Sequence, residues 1–167
     1  MINTTLTLLA EKLNAHLKST FQLEEDKAIA SNLIHTDGSI PSEISNKVVI
    51  CLANIEQESS LSNLGFANNK PLDIKHISLN LNLNVLIVAN FTNYHESLKY
   101  ISTTIVYFQT NPVILNQTNP ELTDTIDKLT IEMMKADANT TSQIWHAMGA
   151  KYSPSVIYKI RLLSNHK

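Results

Sequence analysis

The sequence predicts one α/β (α+β) domain: a mixed, mostly antiparallel sheet of about five or six strands with about three helices. Three observations predict it. Apolar residues near the N-terminus recur at spacings of three and four. A strict two-residue alternation runs from Ile77 to Phe91. A second alternation closes the chain from Val156 to Leu163. Side chains return to one helix face every 3.6 residues and to one strand face every two, so each period selects its own backbone.

The elements follow in order. Ile2, Leu6, Leu9, Leu13 and Leu17 form the stripe of a first helix over residues 2–20, with Glu11, Lys12, Asn14 and Lys18 away from it. A short strand is expected from Ala28 to Leu33. Thr36 to Pro41 reads as a turn, because Gly38 supplies a positive φ and Pro41 has no N–H for a ladder. Lys47 to Glu56 holds the unbroken apolar run Val48 to Leu52, which fits a strand covered on both faces. Gln57 to His76 is long, polar and rich in Asn and Ser, and is expected to be a loop.

Ile77, Leu79, Leu81, Leu83, Val85, Ile87, Ala89 and Phe91 define one face of a long strand. Its other face changes from Ser78, Asn80, Asn82 and Asn84 to Leu86 and Val88. One half is therefore expected to be half-exposed, and an overhanging half would suit pairing with another chain. Asn93 is a good N-cap with Glu96 at the third helical position, opening a second helix through Tyr94, Leu98, Ile101, Ile105 and Phe108. Asn111-Pro112 ends it. Val113 to Leu115 is a short strand, residues 116–124 a loop around Pro120, and Leu129 to Met134 a further strand. Thr140 and Gln143 form a capping-box pattern for a third, short helix carrying Trp145 and Met148, with Gly149 as its C′ residue. Late strands after the second helix favour a mixed sheet with the helices on one face. Strand order is not readable from this pattern.

Composition bounds the function. The 167 residues suit a single domain over 1–167, long enough to bury roughly two-thirds of the unfolded surface without a disulfide or metal. Charged residues make up 17%, below the usual ~25%, so the polar surface relies on Asn, Ser and Thr and costs less to bury against a partner. The net charge of −2 comes without a basic run to neutralise phosphates, which argues against nucleic acid. No apolar stretch approaches the ~20 residues of a membrane span, and the N-terminus has no signal-peptide pattern. Cys51, the sole cysteine, sits in an apolar run and reads as a small buried hydrophobe suited to a reducing compartment.

No motif proposes chemistry. Three glycines, at 38, 65 and 149, build no phosphate-cradling loop. The histidines at 16, 35, 76, 95, 146 and 166 lack the i, i+4 spacing of a helical zinc site. Glu24-Glu25-Asp26 is a solvated turn, as are Asp124 and Asp127, and no nucleophile elbow is present. No catalytic residue, metal or cofactor is expected. Trp145 and Tyr152 each read as a core or an interface aromatic.

Three blocks carry a resemblance. They are Asn46-Lys47-Val48-Val49-Ile50 followed by Asn54-Ile55-Glu56-Gln57-Glu58; Leu81 to Phe91 followed by Tyr94; and Gly149-Ala150-Lys151-Tyr152-Ser153-Pro154 running on to Lys159. In this order, nearly end to end, they resemble the N-terminal domain of the cap, or tail-terminator, proteins of extracellular contractile injection systems. The antifeeding prophage and the Photorhabdus virulence cassettes belong to that group. The resemblance implies a phage tail-terminator-like fold and a non-enzymatic structural role: a homo-hexameric ring on the distal end of the inner tube and the last sheath layer, ending both polymers. It implies the tube protein, the sheath protein and a second cap paralogue as partners. It also implies assembly in the cytoplasm and a place in a particle that is released or cell-anchored. Some caps carry a further C-terminal domain; here the chain ends soon after Arg161-Leu162-Leu163, so that domain's activity is not expected. Asn80, Asn82, Asn84, Lys151, Tyr152 and Arg161 are the candidate interface residues, the three asparagines also being readable as a solvated sheet face. A baseplate or collar adaptor of the same particle is the alternative role, and a small α/β enzyme or binding module a more distant one.

Overall fold

A computed structural model describes residues 1–58, 80–119, 122 and 126–163. Three helices are α1 (Ile2–Phe21), α2 (Tyr94–Thr110) and α3 (Ala138–Met148). Six strands are β1 (Ala28–Ala30), β2 (Lys47–Gln57), β3 (Leu81–Asn90), β4 (Val113–Leu115), β5 (Lys128–Met133) and β6 (Ser155–Leu163). They form one sheet in the order β1-β2-β3-β6-β5-β4. Only β1 and β2 run parallel; the other neighbours are antiparallel. The expected mixed, mostly antiparallel α+β sheet with three helices is the fold observed.

The alternation in β3 works as periodicity requires. Leu83, Val85 and Ile87 point into one apolar cluster with Leu9, Leu13 and Phe108 of α1 and α2. Leu86 and Val88 point into a second cluster with Val49, Cys51, Ile157 and Trp145. In β2, Val48 and Ile50 join the first cluster while Val49 and Cys51 join the second. The sheet is thus covered on both faces in this half. The expectation of helices on one face is corrected: α1 and α2 take one face, α3 with the 31–44 segment the other. The physical reason is in the apolar runs themselves, since strands apolar on both faces need cover on both.

Several boundaries differ from expectation. β1 stops at Ala30 rather than Leu33, because the chain leaves the sheet there and Leu33 packs into the second cluster. β2 extends through Gln57, with a register shift between Leu52 and Asn54. α3 opens at Asp137, not Thr140: the Asp137 carboxylate accepts the Thr140 N–H at 2.7 Å, so Thr140 sits inside the first turn. An aspartate caps as well as a threonine, and its position adds one more turn to a short helix. The Asn93 cap is as expected, accepting from His95 and Glu96 N–H, and Gly149 ends α3 at φ 67°. The Glu96 side chain turns to Lys99 at 3.6 Å.

Within its described residues β3 does not overhang. It pairs with β2 along Leu81–Asn90 and with β6 along Leu81–Val88, so over these residues both edges are taken and neither is open to strand addition. The strand's expected start at Ile77, Ser78 and Leu79 lies outside the described residues, as does most of the loop assigned to 57–76 and part of that around Pro120.

Candidate interaction surfaces

The second face of the sheet divides in two. Where β3 changes from Leu86 to Asn84, the cover given by α3 ends and a polar stripe begins. The register places Asn84 between Asn54 and Lys159, and Asn82 between Glu56 and Arg161. Asn82 donates its Nδ2 to Glu58 at 2.9 Å, and Asn84 donates to Glu56 at 2.7 Å. A carboxylate accepts and never donates when ionised, so these bonds fix which end of each amide faces it. Lys159 lies 4.0 Å from Glu56, and Arg161 3.4 Å from Glu132. The result is a lattice of neutral amides interleaved with acidic and basic side chains across β2, β3, β6 and β5.

This lattice contains Asn82, Asn84 and Arg161 of the six candidate residues. Asn80 stands just before β3, where its carbonyl accepts the Glu58 N–H at 3.0 Å. The amide donors of Asn82 and Asn84 are engaged within the chain, while their Oδ1 atoms are buried without a hydrogen-bond partner. Sequence reasoning missed Glu56, Glu132 and Lys159 as members. The available signal was the alternation of polar residues in β2 and β6, which is weak because Asn54 follows a bulge that inverts the parity.

Lys151 and Tyr152 lie elsewhere, in the connection from α3 to β6. That connection and the 31–44 segment enclose a groove of about 350 Å³. Leu33, Ile34, Ile40 and Ile44 form one wall, Trp145 and Lys151 stand on the other, and Val88 lies on the floor. Trp145 is a core residue: it belongs to the second apolar cluster, and its indole N–H donates to Ser155 Oγ at 3.2 Å. Tyr152 is 67% exposed and packs its ring 5.4 Å from that of Trp145. The groove was not anticipated, because Ile40 read in sequence only as part of the turn from Thr36 to Pro41.

Neither surface gathers reactive groups. Among the described residues no three His, Cys, Asp or Glu side chains come together to hold a metal ion. Cys51 is buried, and desolvation pushes its thiol up to about 11, far from the thiolate that a nucleophile requires. No helix among the described residues is long and apolar enough to cross a membrane.

Two solved structures share this architecture. One is the sheath/tube terminator, in the extended state, of the PVC extracellular contractile injection system. It has a TM-score of 0.58 and 18% identity, over 96% of this chain and 56% of that one. The other is the tube-terminating cap of the anti-feeding prophage, with a TM-score of 0.52 and 13% identity, over 94% of this chain and 55% of that one. At these identities the likeness is one of fold, and the chain spans a little over half the length of either neighbour. A search of curated proteins finds no match. The Pvc16 N-terminal domain family model matches residues 4–165, nearly the whole sequence, and the chain therefore belongs to the Pvc16 N-terminal domain family.

Proposed function

We propose that this chain is a structural cap that ends the growth of inner tube and sheath at the distal end of a contractile injection particle. The observation that carries this reading is the fold likeness, over nearly the whole chain, to a sheath/tube terminator and to a tube-terminating cap. A cap acts by shape. It covers the last layer of a polymer with a surface complementary to that layer, and presents outward a surface that recruits no further subunit. Its copies must also close on themselves: a heterologous contact that closes gives a ring, and one that does not gives an open filament.

In this reading the copies form a hexameric ring, alone or with a cap paralogue, that holds the tube protein to the sheath protein. Assembly takes place in the cytoplasm, and the finished particle is released or stays anchored to the cell. Asn80, Asn82, Asn84 and Arg161 belong to the layer contact, where amides and paired charges are buried at less cost than lone charges. Lys151 and Tyr152 belong to a second contact at the α3–β6 connection. The role requires no bond to be made or broken.

The length distribution of particles from a strain lacking the gene, measured by electron microscopy, tests the proposal. Long, ragged or separated tubes and sheaths are expected. Particles of normal, uniform length with an ordered cap would instead assign the chain to a baseplate or collar adaptor.

A further inference from the structure

We propose that the groove between the 31–44 segment and the α3–β6 connection docks an extended peptide segment of a partner protein, one that carries aliphatic side chains followed closely by a carboxylate. The groove is lined mainly by apolar side chains, Val88, Leu33, Ile34, Ile44 and Trp145, with Asn90 and Ser153 adding polar groups. Ile40 lines it while being 71% exposed. That exposure is built in. The preceding turn is held by Ser39 N–H donating to Asp37 Oδ1 at 2.9 Å and His35 N–H donating to the Ser39 carbonyl at 2.8 Å, with Gly38 at φ 83°. Pro41 follows. The turn holds an aliphatic side chain at the mouth, where a partner's apolar residue would close over it.

Charge selects the partner's polar part. Lys151 is the one charged residue lining the groove, no acidic residue lines it, and none of the ion pairs among the described residues involves Lys151. The adjoining backbone N–H groups from Ala150 to Ser153 donate to no backbone carbonyl among the described residues. An extended peptide supplies carbonyl acceptors to such a segment and a carboxylate to the ammonium. The volume of about 350 Å³ is at the low end of the roughly 300–1,000 Å³ of ligand sites, which suits one or two side chains with their backbone lying along the mouth. The proposal gives the second contact of the cap reading an occupant, and it is tested on the isolated protein, so its failure is distinguishable from a failure of that reading, which is tested by particle length.

Trp145 lines the groove and is the only tryptophan, so its fluorescence reports occupancy directly. The probe is a capped hexapeptide with two leucines followed by an aspartate, with an otherwise identical asparagine peptide as control. A saturable change in Trp145 emission is expected with the aspartate peptide. Affinity should fall by about threefold or more for the asparagine peptide and for Lys151→Ala, the range of an exposed ion pair, and binding should be lost in Ile40→Ser. Both substitutions are at exposed positions, and thermal melting confirms that the variants are folded. Absence of a saturable change in the wild type overturns the proposal, and so does equal binding of the two peptides. A change in sedimentation of Ile40→Ser without peptide also overturns it, since the occupant is then a second copy of the chain.

Discussion

Asn14 lies on α1 yet completes the sheet. Its Nδ2 donates to the Ala28 carbonyl at 2.8 Å, and its Oδ1 accepts the N–H of Ala28 at 2.6 Å and of Lys27 at 2.8 Å. β1 is an edge strand, and the Asn14 amide stands where a neighbouring strand would be. It satisfies the outward N–H and C=O of Ala28 and occupies the edge at that position. Asn14→Ala leaves buried backbone groups unpaired, and a loss of about 1–3 kcal/mol is expected in denaturant titration. Tyr158 presents the opposite situation. Its hydroxyl is buried without a hydrogen-bond partner, and burial pushes its ionisation up to about 12. Tyr158→Phe removes an unsatisfied group and keeps the ring packed 5.4 Å from Phe108. Stability is expected to be unchanged or to rise by about 1 kcal/mol; a lower denaturation midpoint would show that the hydroxyl has a partner after all.

Among the elements, α3 depends most on its ends. It has 11 residues, fewer than an isolated helix needs for stability in water, and Trp145 is its one buried residue. Docking of Trp145 and the Asp137 cap together hold it. Hydrogen bonds from Thr140 keep the Asp137 carboxyl below its ordinary value of 3.8. A carboxyl whose folded value is depressed stabilises the native state above its unfolded value and loses that contribution as pH falls through the folded one. Asp137→Ala is therefore expected to lower the melting temperature at neutral pH. The gap to the wild type should close as the pH is taken below 3.8. Asp137→Asn keeps a side-chain acceptor and should melt close to the wild type at neutral pH. Melting curves across that range check both statements. By contrast α1 and α2 are long, lie on a shared core and bury several residues each, so no single cap decides them.

Over the whole molecule, the two sheet faces are unequal. One is covered by α1 and α2. The other is covered by α3 and the 31–44 segment only where the strands are apolar, and it gives way to the amide and charge lattice around Asn84, Lys159 and Arg161. The polar sheet surface and the groove are thus chemically different and lie on separate parts of the chain. Arg161 is about half exposed and its pair with Glu132 is 3.4 Å long, so Arg161→Ala should change the stability of the isolated chain by no more than about 1 kcal/mol. If Arg161 belongs to the layer contact, the same variant lengthens particles in a strain that makes no other copy. Melting of the purified variant and particle lengths by microscopy separate folding from assembly.

The sequence by itself determined the element types, because each rests on local periodicity. The stripe of Leu9, Leu13 and Leu17, the alternation from Leu81 to Ala89, the cap at Asn93 and the stop at Pro112 are each legible within a few residues. It also marked the lattice in part: Asn82 and Asn84 stand out in an apolar alternation, and Arg161 recurs at the matching parity of β6. Only the tertiary structure decided the strand order, the loss of both edges of β3 to β2 and β6, and the placing of α3 on the opposite face from α1 and α2. It alone brought Glu56 to Asn84 across 28 positions and set Ile40 beside Trp145. The physical reason is one of range. A helix or strand pattern is written by the neighbours of each residue, whereas pairing and docking are chosen by comparing apolar faces far apart in the chain, and several such choices bury the same residues equally well.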